Sequence, residues 1–264
     1  MESVSQLIDE YDHVNEFIFY TATNIPGKGC DETLFDVQIA SCCSCTDGCA
    51  TTCSCLDCGN GELNYCNGLL VDSKLFSSSC GNGGCLVECG SRCLCEATKC
   101  ENRVVQFGPV AGLNIESFAA KGFGVTSKKP LLKGQFVCEY AGEIIGEEEA
   151  TKRRIGDNTN YIFTLNEYVG DQRVKTIVDA TCIANIGRYI NHSCDPNCVV
   201  IPVRVDSIVP RLCIFSLKDI GIGEEITYKY GDIDHHGQEN VDLGKLKACL
   251  CGSDKCAKYL PFNS

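Results

Sequence analysis

The chain has 264 residues, a formal net charge of −12 and 23 cysteines. That length suits one large domain or two small ones with a real core, and no run of about 18 apolar residues is present to form a membrane-spanning helix. The acid excess argues against nonspecific DNA binding through a basic face and favours a basic partner such as a Lys/Arg-rich peptide.

Residues 1–40 form an N-terminal flank. The opening MESVSQLIDEYDHV is acidic and lacks the apolar centre of an export signal. Val14–Tyr20 predicts a short strand, and Asn24–Gly29 a loop.

Residues 41–110 are dominated by cysteine. Cys43, Cys45, Cys49, Cys53 and Cys55 make a first cluster, and Cys89, Cys93, Cys95 and Cys100 a second. The Gly/Asn/Ser-rich stretch between them predicts only loop. An odd total, tight clustering and no export signal favour metal thiolates over disulfides. Zinc takes four thiolates in a tetrahedron. Three zincs therefore need twelve bonds, which nine cysteines supply if six bind once and three bridge. The count closes on a trinuclear cluster. With few apolar residues nearby, metal would supply much of the folding energy. Cys30, Cys42, Cys58, Cys66, Cys80 and Cys85 fall outside this arithmetic.

Residues 113–231 change character. Strands are predicted at Phe136–Tyr140, Ile162–Leu165, Arg173–Val178, Val199–Val205 and Leu212–Phe215. A helix is predicted at Glu147–Arg154, with acids in its first turn and Lys152-Arg153-Arg154 in its last, as the helix dipole favours. A second short helix is predicted over the apolar run Ile183–Ile190. Many short strands with few helices give a mostly-β fold.

Between the runs ending at Ile190 and beginning at Val199 lies the densest polar stretch, Arg188-Tyr189-Ile190-Asn191-His192-Ser193-Cys194-Asp195-Pro196-Asn197. Such groups, buried between packed elements, need partners or a function. Residues 245–261 then carry Cys249, Cys251 and Cys256, one ligand short of a tetrahedral zinc. His235, His236 and Cys194 are the candidates for the fourth.

The 188–197 stretch resembles the signature of SET-domain protein lysine methyltransferases, as does Glu224-Glu225-Ile226-Thr227-Tyr228-Lys229-Tyr230. The nine-cysteine block running into Asn102-Arg103-Val104-Val105-Gln106 resembles a pre-SET module, and Cys249-x-Cys251-x4-Cys256 a post-SET module. The order pre-SET (41–110), SET (113–231), post-SET (245–261) resembles the suppressor-of-variegation class of histone H3 lysine 9 methyltransferases. The run Ile201–Ser207 is similar to the members fused to a mariner transposase, which keeps lysines 4 and 36 of the same histone open.

The resemblance implies a pseudoknot, with 188–197 threaded beneath the loop after Tyr230. It implies S-adenosylmethionine as methyl donor, held by Lys121, Gly122, Phe123, Gly124, Tyr161, Arg188, Asn191 and His192. It implies catalytic positions at Tyr230, Tyr140 and Tyr228. It assigns Cys194 as fourth ligand of a single post-SET zinc, leaving His235 and His236 as loop residues. Tyr228 stands where the family carries Phe or Tyr. A hydroxyl there narrows the lysine channel, so mono- and dimethyl products are expected. The implied partner is the histone H3 tail, in the nucleus on chromosomes, with no sequence-specific nucleic acid or membrane binding. The reading from another class is a non-catalytic chromatin-binding zinc module. Its mark would be loss of Tyr230, Asn191 or His192, and all three are present.

Overall fold

The computed structural model describes residues 17–50, 53–59, 61–75, 86–119, 121–155, 161–169, 171–231 and 247–261. His235 and His236, the loop after 231, Cys80, Cys85 and the start of the predicted Val14–Tyr20 strand lie outside them.

In chain order the strands are β1 (Phe19–Tyr20), β2 (Ile25–Pro26), β3 (Tyr65–Cys66), β4 (Leu69–Leu70), β5 (Leu86–Val87), β6 (Leu113–Phe118), β7 (Gly122–Ser127) and β8 (Phe136–Tyr140). They continue with β9 (Glu143–Ile144), β10 (Ile162–Val169), β11 (Gln172–Asp179), β12 (Ile183–Ala184), β13 (Asn191–His192), β14 (Cys198–Arg204), β15 (Arg211–Ser216) and β16 (Thr227–Tyr228). The α-helices are short: α1 (Thr33–Asp36), α2 (Asp72–Leu75) and α3 (Glu147–Arg154). No helix among the described residues is long and apolar enough to cross a membrane.

Two four-stranded sheets organise the chain. One has the order β5-β14-β15-β8, and the other β10-β11-β9-β2. In the first, β14 and β15 pair antiparallel from Cys198↔Ser216 to Val203↔Arg211. In the second, β10 and β11 pair from Ile162↔Asp179 to Val169↔Gln172. The main core lies beneath them, with Val125, Val137, Val178, Leu212, Ile214, Ile220 and Ile226 all essentially solvent-free. Every residue of β8 is buried, which is why its sequence shows no in–out alternation.

The helix predicted over Ile183–Ile190 does not form. Ile183 and Ala184 instead pair parallel with β1, and Ile186–Tyr189 make a 3-10 turn capped by Asn185, whose side chain accepts from the Gly187 N–H. A short apolar run cannot be assigned by periodicity alone, and here the partner strand decides it. Gly187 explains the tight fit: a Cβ there would lie 2.5 Å from the Glu139 carbonyl. The predicted loop at Asn24–Gly29 contains β2, which pairs parallel with β9. In the stretch between the cysteine clusters, β3 and β4 form a hairpin across Asn67-Gly68, both at positive φ. That turn needs positive φ at both central residues, which Asn-Gly supplies at least cost.

Glu88 joins the cysteine-rich region to the sheets. It is 2% exposed. Its carboxylate accepts from Tyr65 Oη at 2.8 Å, the Val104 and Val105 N–H groups at 2.8 Å each, and Gln106 Nε2 at 2.7 Å. A buried carboxylate is tolerated only with such a full set of donors.

Candidate active site and metal centres

The 188–197 stretch is knotted to the segment ending at Tyr230. β13 and β16 pair parallel, Asn191↔Thr227 and His192↔Tyr228, and the Ser193 N–H donates to the Tyr228 carbonyl at 3.1 Å. Asn197 closes the knot from the other side. Its Oδ1 accepts the Thr227 N–H at 2.8 Å, and its Nδ2 donates to the Glu225 carbonyl at 2.9 Å. His192 Nδ1 accepts the Tyr230 N–H at 3.1 Å, so the ring proton sits on Nε2. Burial, with Lys229 adding to it, lowers the His192 pKa to about 4 and keeps the ring neutral.

Three tyrosines meet beside this knot. The ring of Tyr228 lies 5.0 Å from that of Tyr230 and 6.4 Å from that of Tyr140, centroid to centroid. Phe163 completes the cluster, 5.7 Å from Tyr140 and 6.2 Å from Tyr228. Tyr140 Oη donates to the Tyr161 carbonyl at 2.7 Å, and Tyr230 Oη to the Ile190 carbonyl at 3.0 Å. Burial pushes all three phenols up. They remain protonated at neutral pH, able to orient a substrate by hydrogen bonds but not to act as phenolate bases. Phe163 was not singled out in the sequence; its signal was a place in a partly buried strand opposite Val178. Lys229, between two of the tyrosines, is exposed and points away from them, as strand alternation predicts.

The residues assigned to the methyl donor form a second group. Asn191 Nδ2 donates to the Phe123 carbonyl at 3.0 Å and to Glu225 Oε1 at 2.9 Å. Lys121 is ion-paired with the other oxygen of Glu225. Glu225 was legible only as part of a motif, and here it ties Lys121 to Asn191. The Lys121 ammonium is already paired and its N–H donates to the Phe118 carbonyl at 3.0 Å, which leaves its backbone carbonyl for a ligand. A Cβ at Gly124 would lie 2.9 Å from Asn191 Nδ2 and 2.8 Å from the Phe118 ring, so only glycine fits. Gly122 has φ +78° with open space around it, and Phe123 is 44% exposed. This is a backbone cradle beside an aromatic face, a fit for a nucleoside-bearing ligand. The Arg188 guanidinium lies 3.9 Å over the Tyr161 ring, and its Nε donates to the Ala180 carbonyl at 2.9 Å.

The cysteines assemble into four sets, each with its sulfurs within 4.8 Å of one another: Cys43/Cys55/Cys89/Cys93, Cys43/Cys49/Cys53/Cys89, Cys49/Cys89/Cys95/Cys100 and Cys194/Cys249/Cys251/Cys256. Cys89 belongs to three sets, and Cys43 and Cys49 to two each, as bridging ligands must. Cys45 is in none of them, though it packs against the cluster. Zinc–sulfur bonds of about 2.3 Å in a tetrahedron put sulfurs about 3.8 Å apart. The separations match: Cys43–Cys49 3.7 Å, Cys43–Cys89 3.7 Å, Cys49–Cys89 3.8 Å and Cys194–Cys249 3.8 Å. Burial and neighbouring sulfurs push the Cys49 thiol up, and contact with Cys55 together with burial does the same to Cys89. The thiols cannot all ionise together without a cation between them. Cys194 and Cys249 are more than fifty residues apart in sequence, so the second centre pins the C-terminal segment to the knot. His192 Nε2 lies 3.2 Å from Cys194 Sγ.

Comparison with known proteins agrees with this geometry. Residues 122–231 match the SET domain family model. The chain is 41% identical over 250 residues to the probable histone-lysine N-methyltransferase set-23 of Caenorhabditis elegans, covering 92% of this chain and 96% of that protein. It superposes on the crystal structure of the methyltransferase domain of human SETMAR with a TM-score of 0.76 and 34% identity, over 93% of this chain and 90% of that one. It superposes on KRYPTONITE, solved with mCHH DNA, an H3(1-15) peptide and SAH, with a TM-score of 0.66 and 27% identity, over 92% of this chain and 48% of that one. The chain belongs to the SET-domain histone-lysine N-methyltransferases, enzymes that take their methyl group from S-adenosylmethionine.

Proposed function

We propose that the protein methylates lysine 9 in the histone H3 tail, that it stops mainly at mono- and dimethyl-lysine, and that it does so on chromosomes in the nucleus. The observation that carries the lysine-methylation reading is the cluster of Tyr140, Tyr228, Tyr230 and Phe163 packed against the Asn191–His192 knot; lysine 9 and the nucleus follow by analogy with the suppressor-of-variegation class. The H3 peptide in the KRYPTONITE complex and the −12 charge of this chain support a basic tail as substrate.

When bound, S-adenosylmethionine supplies an electrophilic methyl on a sulfonium. Everything else falls to the chain. A lysine ammonium, with a pKa of about 10.4, has no lone pair to attack with. The aromatic walls of Tyr140, Phe163 and Tyr228 disfavour the charged form by desolvation, so the proton leaves to water before the amine is enclosed. The hydroxyls of Tyr140 and Tyr230 then hold the neutral amine in line, and alignment of this kind supplies much of the acceleration. Lys121–Gly124, Tyr161, Arg188, Asn191 and His192 hold the donor, Lys121 through its backbone. The nine cysteines from Cys43 to Cys100 would hold three zincs, Cys45 joining Cys43, Cys49 and Cys53. Cys194, Cys249, Cys251 and Cys256 would hold a fourth, tying residues 247–261 to the 188–197 stretch.

Product specificity follows from Tyr228. Its hydroxyl occupies space a third methyl group needs, so Tyr228→Phe shifts the product toward trimethyl-lysine. Mass spectrometry of methylated H3 peptide checks this: wild-type product that is mainly trimethyl-lysine contradicts it. Methylation at lysine 4 or 36 instead of 9 keeps the enzyme class and changes the target.

A further inference from the structure

The turn that ends β11, Asp179-Ala180-Thr181, connects the tyrosine cluster to the donor side. The Tyr161 carbonyl accepts two hydrogen bonds, from the Ala180 N–H at 3.0 Å and from Tyr140 Oη at 2.7 Å. The Ala180 carbonyl accepts Arg188 Nε at 2.9 Å, and the Thr181 carbonyl accepts Arg188 Nη2 at 3.4 Å. One turn therefore orients a channel hydroxyl through its N–H and a guanidinium through its carbonyls.

Asp179 fixes that turn. It is 2% exposed. Its Oδ1 accepts the Thr181 N–H at 2.9 Å and Thr181 Oγ1 at 2.5 Å, while its Oδ2 receives Arg153 Nη1 at 2.8 Å. Arg153 is itself held by Glu143 and Glu149. The backbone after Tyr140 sits directly on the turn: a Cβ at Gly142 would lie 2.3 Å from the Asp179 carbonyl. The Asp179 charge also lies close enough to raise the Tyr140 phenol directly, so a Thr181 variant, which leaves that charge in place, isolates the turn.

We infer that Asp179 is a positioning residue for methyl transfer, which through the 179–181 turn sets the Tyr140 hydroxyl and the Arg188 guanidinium in a fixed relation. The inference rests on the roles proposed above for Tyr140 and Arg188. A turn freed to rotate would release the Ala180 N–H from the Tyr161 carbonyl, and small misplacements of a positioning group cost rate.

The test is a double-mutant cycle on the full chain with H3 peptide and S-adenosylmethionine. Thr181→Val removes the Oγ1 donor at a partly exposed site that tolerates it, Thr181→Ser restores it, and Asp179→Asn weakens both ends. Thr181→Val and Asp179→Asn are expected to lower kcat about tenfold with the peptide KM within about twofold, as for a small misalignment, and Thr181→Ser to recover wild-type kcat. At saturating S-adenosylmethionine, where the Arg188 branch is read in the donor KM rather than in kcat, Thr181→Val in a Tyr140→Phe background should cost less than about twofold more, because residues that act through one group are not additive. A folded Thr181→Val enzyme with wild-type kcat, or losses that multiply in the double variant, would overturn the inference while leaving Tyr140 in its role. Wild-type kcat in Tyr140→Phe alone would sink that role and the inference with it.

Discussion

The sheet core and the cysteine module of this chain are both buried and both ordered, yet they are held by different forces. The core under β8, β14 and β15 is aliphatic and aromatic, with Val137, Leu212, Ile214 and Phe215 closed off from solvent. The buried cluster of the cysteine module consists of seven cysteines and Leu56. The first is stabilised by apolar area removed from water. The second has almost no such area, and burial makes Cys49 and Cys53, and contact with Cys55 together with burial makes Cys89, resist ionisation unless a cation shares them. On the proposed reading the reaction lies on the sheet core, and the two groups of cysteine sets frame it. Glu88 is where the sheet core and the cysteine module meet: its N–H donates to the Arg204 carbonyl of β14 while its carboxylate takes donors from Tyr65, Val104, Val105 and Gln106.

The largest expected effect breaks the comparison outright. Structural zinc contributes on the order of 10 kcal/mol per site to the fold it organises. Chelation should therefore remove hydrogen-exchange protection from 41–110 and 247–261 while the amides of β14 and β15 stay protected. Cys89→Ser, which touches three of the four sets, should lower bound zinc by more than one equivalent by elemental analysis. Uniform loss of protection across the chain would show that the sheets depend on metal as well.

The converse perturbation leaves metal in place and damages the core. Ile214 is fully buried between β8 and β14. Ile214→Ala should cost about 2–5 kcal/mol through lost transfer energy and the cavity left behind, read as a lower urea midpoint with zinc content unchanged.

A smaller effect comes from Glu139, buried in β8 beside Tyr140. Burial raises its pKa to about 7, against the opposing pull of Arg211 and the Asn24 N–H. Below the ordinary carboxylate value of 4.5 it is protonated in both folded and unfolded chains. As pH rises toward 7 the unfolded carboxyl ionises first, so the stability it contributes at low pH is lost through that window. The sum is about 3 kcal/mol. Glu139→Gln should be about as stable as wild type at pH 4.5 and more stable at pH 8 in urea titrations. A gap independent of pH would contradict the shift.

Much of this was legible in the sequence, for identifiable reasons. α3 carries its acids and bases at the ends the dipole favours, and β8 is an unbroken apolar-rich run, so both match their predicted bounds. The nine-cysteine block and the Cys249/Cys251/Cys256 trio stood out by ligand arithmetic, while Cys194 as the trio's fourth member came only with the family resemblance, since arithmetic left His235 and His236 equally open. The short β1–β12 and β2–β9 pairs were hidden, since parallel pairing at long range leaves no local pattern. For the same reason Ile183–Ile190 was assigned to the wrong element. The Asn67-Gly68 hairpin did carry a local signal, obscured by the polar composition around it. Asp179, Asn197 and Glu225 act by closing hydrogen bonds across 26 to 34 residues, and a single acid or amide in a sequence does not announce its partner.

The most direct measurement is mass spectrometry of histone H3 peptides incubated with S-adenosylmethionine and either wild-type protein or Tyr230→Phe. The account predicts mono- and dimethyl-lysine at position 9 with wild type, and a rate lowered about a hundredfold with Tyr230→Phe as a positioning hydroxyl is lost. Absence of methyl transfer to any H3 lysine by zinc-loaded wild-type protein, or a Tyr230→Phe variant as fast as wild type, would contradict it.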